Sequence, residues 1–421
     1  MVKLFQMRRF SKLIVLFLFV FRVDAARSQS TELGGYTKLL ATHNILSKDI
    51  PEFLLNLSGF DYTYTDYQIH NRINFNARPS ENITFKLGLR NRVFWGYQSG
   101  NNPQFRSQLE QDPAGIDLST IWLKSGSITA HSIIDRLSIQ WSNNQWEIKL
   151  GRQRMNWAMH TIWNPNDLFN TYNYLDFDYE ERPGSDALQA TRYIGSLSEL
   201  SMAIAALDNR EMAVASKYKT HLGNYDVQII GGYWRRQWVM GNGFAGDLGS
   251  GSLKGEWTAF FPASQSLESD RPPALSASLG YEFTLPGGWF LSANALYNSE
   301  GSKNGDFITL LQQNNSSIAA NNARLLFPFK TTFFIGAGGT LTSLLRFDAG
   351  ILSDSRFNQL IAVQTLSYSA GQNLDISLVS QIFLGDLDLT ILQTYLPSFP
   401  LPPPHFGWLN GSFFGRIKHS F

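Results

Sequence analysis

The chain has 421 residues, with 35 Lys+Arg against 34 Asp+Glu, 43% hydrophobic and 14% aromatic residues, and no cysteine. The lack of cysteine excludes disulfides, thiolate metal sites and a lipidated cysteine anchor, and the balanced charge offers none of the basic excess expected of a nucleic-acid partner. After Phe21 no run approaches the roughly 18 apolar residues of a transmembrane helix, which excludes a helical membrane protein.

At the N-terminus, Lys3, Arg8, Arg9 and Lys12 precede an apolar run from Leu13 to Phe21. Small residues follow at Ala25-Ala26 and Ser28-Gln29-Ser30. A basic start, a short greasy centre and a small-residue cleavage zone read as a secretory signal, and the run falls short of the ~20 residues that cross a bilayer as a helix. Residues 1–30 hold six Lys+Arg and one Asp, so the remainder carries 29 basic against 33 acidic groups, a net charge of −4.

The first clear elements alternate with a period of two. Tyr67, Ile69, Ile73, Phe75 and Ala77 share one side, interrupted by Asn71, while His70, Arg72, Asn74 and Asn76 share the other. After the turn Arg78-Pro79-Ser80-Glu81-Asn82 the greasy side continues as Ile83, Phe85, Leu87, Leu89, Val93 and Trp95, interrupted by Asn91, opposite Lys86, Arg90 and Arg92. Two strands of ~11 residues on a short turn have the size of a tilted membrane-spanning hairpin. A second hairpin sets Ile133, Leu137, Ile139 and Trp141 on one side, with Asp135 the exception, and returns through Ser142-Asn143-Asn144-Gln145 to Trp146, Ile148 and Leu150.

The least generic stretch runs from Gly151-Arg152-Gln153-Arg154-Met155-Asn156-Trp157 to Asn164-Pro165-Asn166-Asp167. It resembles the Gly-Arg-Gln strand end, Trp and Asn-Pro-x-Asp loop of porin-like outer-membrane families, including alginate-export-like barrels. Ala158 stands where relatives commonly carry Gly after the Trp. Strict parity puts Arg152 and Arg154 beside Ile148 and Leu150, so a lumen role for them requires a bulge near Gly151. The loop from Asn164 to Asp186 carries Asp167, Asp176, Asp178, Glu180, Glu181 and Arg182. Folded inward, its carboxylates would face Arg72, Arg90 and Arg92 across a lumen and set up a transverse field. The plainer alternative is that these charges tie the loop to the wall. Asp176, Asp178 and Glu180 also have a spacing open to Ca²⁺, without the glycine-bearing register of a defined calcium loop. Trp157, Trp163, Tyr172, Tyr174 and Phe177 are candidates for stacking on sugars or for an interfacial girdle.

Further strands are expected over Tyr281–Leu285, Trp289–Leu291, Thr331–Ile335, Leu341–Ile351, Leu360–Ser369 and Leu374–Leu384, and strand parity is lost between Lys219 and Ala274. The proline-rich run Leu396–Pro404 lacks the donors of a strand ladder and reads as a stiff loop. In the last strand Phe413, Ile417, His419 and Phe421 lie on one side and Arg416 and Lys418 on the other. A strand ending on a terminal aromatic resembles the closing strand of a Gram-negative outer-membrane barrel, which implies that the barrel-assembly machinery reads it.

Together these features predict an all-β, closed antiparallel transmembrane β-barrel of about 16 strands, with 14 to 18 open. Residues 31–50 would be a short periplasmic lead-in and 51–421 the barrel. The expected activity is passive passage of small hydrophilic solutes, leaning to anions through Arg72, Lys86, Arg90 and Arg92, with no cofactor, no metal site and no catalytic motif. The expected surroundings are outer-membrane lipid, with a homo-oligomer open. The rivals are a non-conducting barrel that handles a surface polysaccharide, and a soluble secreted β-protein.

Overall fold

The computed structural model describes residues 30–50, 52, 55, 61–112, 114–170, 181–207, 210–263, 272–303, 322–386 and 406–421. Its strands are β1 (Ser30–Leu46), β2 (Thr63–Ser80), β3 (Ile83–Gly96), β4 (Ser119–Ser125), β5 (Ile128–Ser142), β6 (Trp146–Gln153), β7 (Ser185–Ile194), β8 (Ser198–Ala206), β9 (Met212–Leu222) and β10 (Tyr225–Trp234). They continue as β11 (Gln237–Leu248), β12 (Gly251–Pro262), β13 (Ala274–Thr284), β14 (Phe290–Asn298), β15 (Thr331–Thr340), β16 (Leu345–Asp354), β17 (Gln359–Gly371), β18 (Leu374–Asp386) and β19 (Phe406–Ser420). Two single-turn helices, α1 (Tyr97–Asn101) and α2 (Phe105–Leu109), lie between β3 and β4.

Neighbouring strands pair antiparallel, and β1 bonds to both β2 and β19, so the sheet closes on itself. Closure leaves the spanning backbone without an exposed edge. The ring has 18 strands and one extra, β4. β6 covers only Leu137–Ser142 of the β5 edge, and β4 takes the remainder, Ile128–Ile133. Alternation sorts the faces: Ile69, Ile229, Leu279, Ile335, Leu378 and Ile417 are exposed on the outside, whereas the residues between them turn inward.

The strand number exceeds the expected 16 because Lys219 to Ala274 is denser than an average strand-plus-loop length allows. β9 to β12 are 10 to 12 residues long and are joined by the two-residue turns Gly223-Asn224, Arg235-Arg236 and Gly249-Ser250. Gly223 and Gly249 both have φ of 62°, the left-handed conformation that such tight turns require.

The expected lead-in at 31–50 is also corrected, since most of it is the barrel strand β1. Tyr36, Lys38 and Leu40 point inward while Leu33 and Leu39 are exposed outside, and the polar outward residues Thr37 and His43 mask the alternation. The seam is closed by Gly35 N–H donating to the Phe421 carbonyl at 2.9 Å and Phe421 N–H to the Gly35 carbonyl at 3.0 Å.

Asp135, the exception on its face, sits at a bulge. The β3 partner shifts between Gly88↔Arg136 and Leu89↔Ile134, so Asp135 is the extra residue, and Ile133, expected outside, turns inward beside Arg90. At Gly151 the kink comes without an extra residue: the pairing with β5 runs unbroken while Gly151 adopts φ 113°. That turn separates exposed Leu150 from buried Arg152.

Candidate functional site: a strap across the lumen

β6 stops at Gln153; residues 154–170 form a strap that leaves the wall and enters the interior, and residues 181–184 lead from it back to β7. Its first leg is held by the inner faces of β10 to β13. Glu256 on β12 is the central anchor: Oε1 accepts from the Met159 and His160 N–H groups and Oε2 from the Asn166 N–H at 3.1 Å. A carboxylate holding several backbone amides is a charge-assisted clamp, stronger than neutral hydrogen bonds. Around it, Gln228 Nε2 donates to the Trp157 carbonyl (2.7 Å), Trp234 Nε1 to the Leu168 carbonyl (2.8 Å) and Ser278 Oγ to the Trp163 carbonyl (3.1 Å). Lys254 Nζ bridges Thr161 Oγ1 (2.8 Å) and Glu282 (2.6 Å).

The Asn-Pro-Asn-Asp segment has a physical role at each polar position. Asn164 Oδ1 accepts from Arg182 (2.9 Å), and Asn166 Nδ2 donates to the Asn242 carbonyl (3.1 Å) while its Oδ1 accepts from Thr258 (2.8 Å). Asp167, fully buried, pairs with Arg182 at 2.6 Å. Asn170 ties the two legs together: its Oδ1 accepts from Met155 N–H (2.8 Å), and its Nδ2 donates to the Pro183 carbonyl (2.7 Å) and to Ser185 Oγ (3.0 Å). Trp157 packs edge-on against Phe169 at 5.0 Å within a cluster that includes Leu168, Trp234 and Phe260, and Trp163 meets Phe334 at 6.4 Å. Both indoles are buried, which removes them as sugar platforms or girdle residues. Tyr172, Tyr174, Phe177, Asp176, Asp178 and Glu180 lie outside the described residues, as does the proline-rich run.

The returning leg reaches the opposite wall. Arg72 on β2 is bidentate to Asp135 (Nη1–Oδ2 2.6 Å, Nη2–Oδ1 3.0 Å) and also holds Glu181 of the strap at 2.5 Å, while Arg136 Nη2 donates to the Arg182 carbonyl. Arg90 Nε lies 3.9 Å from Asp135. Arg92 approaches His131 Nδ1 at 3.3 Å and stacks over Phe94. The inward loop and its contact with a strand arginine are therefore present through Glu181. Among its described charges, Glu181 pairs with the wall and Asp167 pairs with Arg182 within the loop.

Across β19, β1, β2, β3 and β5 the inner face carries Arg416 and Lys418, Lys38, Arg72, Lys86 with Arg90 and Arg92, and Arg136. Lys86 is exposed, Arg92, Arg136, Arg416 and Lys418 are half-buried, and Lys38 and Lys418 both stand over the Tyr36 ring, at 5.0 and 4.8 Å. Arg154 is exposed on the strap. Arg152 does not join this wall: it fills the gap beyond the end of β6, bonding Asp186 (2.8 Å), Asp112 (2.7 Å) and the Ile134 carbonyl (3.0 Å). Of the titratable strap groups, Asp167 is pushed up to about 6 by burial, against the pull of Arg182, and His160 is lowered to about 4 by burial. Glu256 and Asp135 carry much of the arrangement. The alternation Lys254, Glu256, Thr258 marks the first in the sequence, and the broken greasy face marks the second.

No protein-family model matches the chain, and no curated protein sequence matches it. Solved structures do. Pseudomonas aeruginosa OccK5 (OpdH) superposes with a TM-score of 0.57 at 9% identity, over 94% of this chain and 99% of that one. Pseudomonas aeruginosa OccK11 (OpdR) gives 0.54 at 8% identity, over 93% and 96%. Pseudomonas aeruginosa OpdK, solved with vanillate, gives 0.54 at 7% identity, over 93% and 98%. The chain thus has the fold of outer-membrane porin barrels.

Proposed function

We propose that the chain is an outer-membrane channel for passive passage of small hydrophilic solutes, with a preference for anions. The observation that carries this reading is the asymmetry of the lumen. One wall holds the strap's first leg, and the facing wall, which meets only its returning leg, carries Lys86, Arg90, Arg92, Arg416 and Lys418, although the chain after residue 30 is net negative. A local basic surface in a confined path of low dielectric sets which ions linger there, whatever the total charge. The exposed Arg154 adds a cation on the strap. The vanillate held by OpdK, a small carboxylate, belongs to the class of solute such a wall would favour.

A secretory signal in residues 1–30 and a closing strand whose Phe413, Ile417, His419 and Phe421 all face outward fit export and insertion by the barrel-assembly machinery. The test is the reversal potential of the purified barrel in a planar bilayer under a salt gradient. The wild type should select anions, and Lys86→Ala/Arg90→Ala/Arg92→Ala should move the reversal potential toward cation selectivity. No conductance would remove the channel reading; cation selectivity in the wild type would remove the anion preference alone.

A further inference from the structure

Both interruptions of the first greasy faces, Asn71 and Asn91, point outward, and they are linked. Trp122 Nε1 donates to Ser132 Oγ (3.0 Å), Ser132 Oγ to Asn91 Oδ1 (2.7 Å), Asn91 Nδ2 to Asn71 Oδ1 (3.2 Å), and Asn71 Nδ2 to Thr37 Oγ1 (3.0 Å). This is one continuous polar stripe across five strands, in the order β4, β5, β3, β2, β1, on the face that otherwise meets lipid. It lies within the apolar belt: Asn71 sits between Ile69 and Ile73, and Asn91 between Leu89 and Val93. The Tyr67–Trp95 stack, at 5.5 Å, marks the belt's edge four residues away along each strand.

Polar side chains in hydrocarbon persist when they find partners, and amides on a lipid-facing surface hold neighbouring protein surfaces together. The stripe satisfies itself only in part. Each amide oxygen takes one of the two bonds it can accept, and Asn91 uses one of its two N–H groups, whereas the Asn71 amide donates to both Thr37 Oγ1 and the Tyr36 carbonyl (3.5 Å). What remains is a donor on Asn91 and an acceptor on both side chains, a pattern complementary to its own copy and not to an acyl chain. On the same outer surface, around the seam, lies a groove of about 480 Å³ bordered by Ala41, Gly415, Phe347, Leu366, Leu378 and Phe413. Two more outward polar pairs line it, His43–Thr65 (2.8 Å) and Ser380–Gln364 (2.7 Å). The outward residues of β12 to β15 offer no counterpart near mid-strand, reading Trp257, Ala259, Ala277, Leu279, Ala295, Phe333 and Ile335.

We infer that this outer face is an interface with a second copy of the same chain, stripe against stripe about a two-fold axis, so that Asn71 and Asn91 of one barrel complete those of the other. An isologous contact suits a self-complementary patch. The absence of cysteine from the chain makes the test clean. In lipid vesicles, Asn71→Cys should oxidise to a covalent dimer, and Ile335→Cys, exposed on β15, should not. Asn71→Leu/Asn91→Leu, still heat-modifiable on a gel and therefore still a closed barrel, should require at least ten-fold less dilution to reach monomers. Equal cross-linking at both positions, a wild type that is monomeric at every protein-to-lipid ratio, or an unchanged oligomer in the double variant would each overturn the inference. Loss of bound lipopolysaccharide from the double variant with no change in mass would overturn it in favour of a lipid occupant.

Discussion

The two sides of this barrel spend their polar residues differently. On the β10 to β13 side the inner face is consumed in holding the strap through Glu256, Thr258, Gln228 and Ser278, while the outer face of β12 to β15 is apolar. On the β19 to β5 side the inner face carries cations with comparatively few carboxylates, and the outer face carries the amide stripe. The same alternating backbone thus serves one wall as a clamp for the strap's first leg and the other as a cationic wall that meets only its returning leg. Period two fixes which residues share a side, and the chemistry placed there decides what each side does.

The largest effect should come from removing the clamp. Glu256→Ala leaves three strap amides without their acceptor, at about 1–3 kcal/mol each if they stay buried, on the order of 5 kcal/mol in all. The strap should detach, visible as at least a two-fold rise in single-channel conductance and as new protease cleavage within 154–184. Unchanged conductance and cleavage would mean that the apolar cluster around Trp157 holds the strap without Glu256.

On the opposite wall the corresponding change is Asp135→Ala, which leaves the buried Arg72 without its bidentate partner. Breaking a buried pair costs about 3–5 kcal/mol, so the variant should unfold at lower temperature, as read by loss of heat-modifiable migration. Glu181→Gln, which removes the strap's own contact with Arg72 from a side chain 36% exposed, should cost under about 1 kcal/mol. Equal effects from the two would show that the arginine is held by the strap and not by the wall.

The smallest effect is a pH slope. The Asp167 carboxyl, raised to about 6, binds more protons folded than unfolded between its ordinary value of 3.8 and 6, so its favourable contribution is present at low pH and is lost as pH rises through 6. His160, lowered to about 4, contributes stability that is present above its ordinary 6.5 and lost as pH falls through 4. The two slopes oppose each other across pH 4 to 6.5. Asp167→Asn removes the carboxyl's slope, so the strap's protection from hydrogen exchange in the variant should gain on that of the wild type as pH rises from 4 to 6. Parallel profiles in the two proteins would contradict this.

Much of the barrel was legible from alternation, because lipid on one side and polar lumen on the other impose the same two-residue period on nearly every strand. The hairpins around Arg78–Asn82 and Asn143–Gln145 and the sides of Phe413, Ile417, Arg416 and Lys418 follow from that period alone. What alternation does not reveal is where it is deliberately broken. The bulge at Asp135 moves Ile133 to the inside, Gly151 turns Arg152 away from lipid, and β1 hides its greasy face behind Thr37 and His43. The strap's course depends on contacts some 90 residues apart in sequence, such as Glu256 with His160 and Asn166, which no local pattern encodes.

The seam between β1 and β19 has a consequence for how the molecule is made. Tyr36 pairs with Ser420, so the bonds that close the ring join nearly the first described residue to nearly the last. Contacts of such sequence separation carry the highest contact order in the chain and a large loop-closure entropy. Until they form, the sheet has two raw edges, each a template for a wrong partner. A chain lacking β19 would therefore be an open ribbon and not a narrower barrel: it would have no inside.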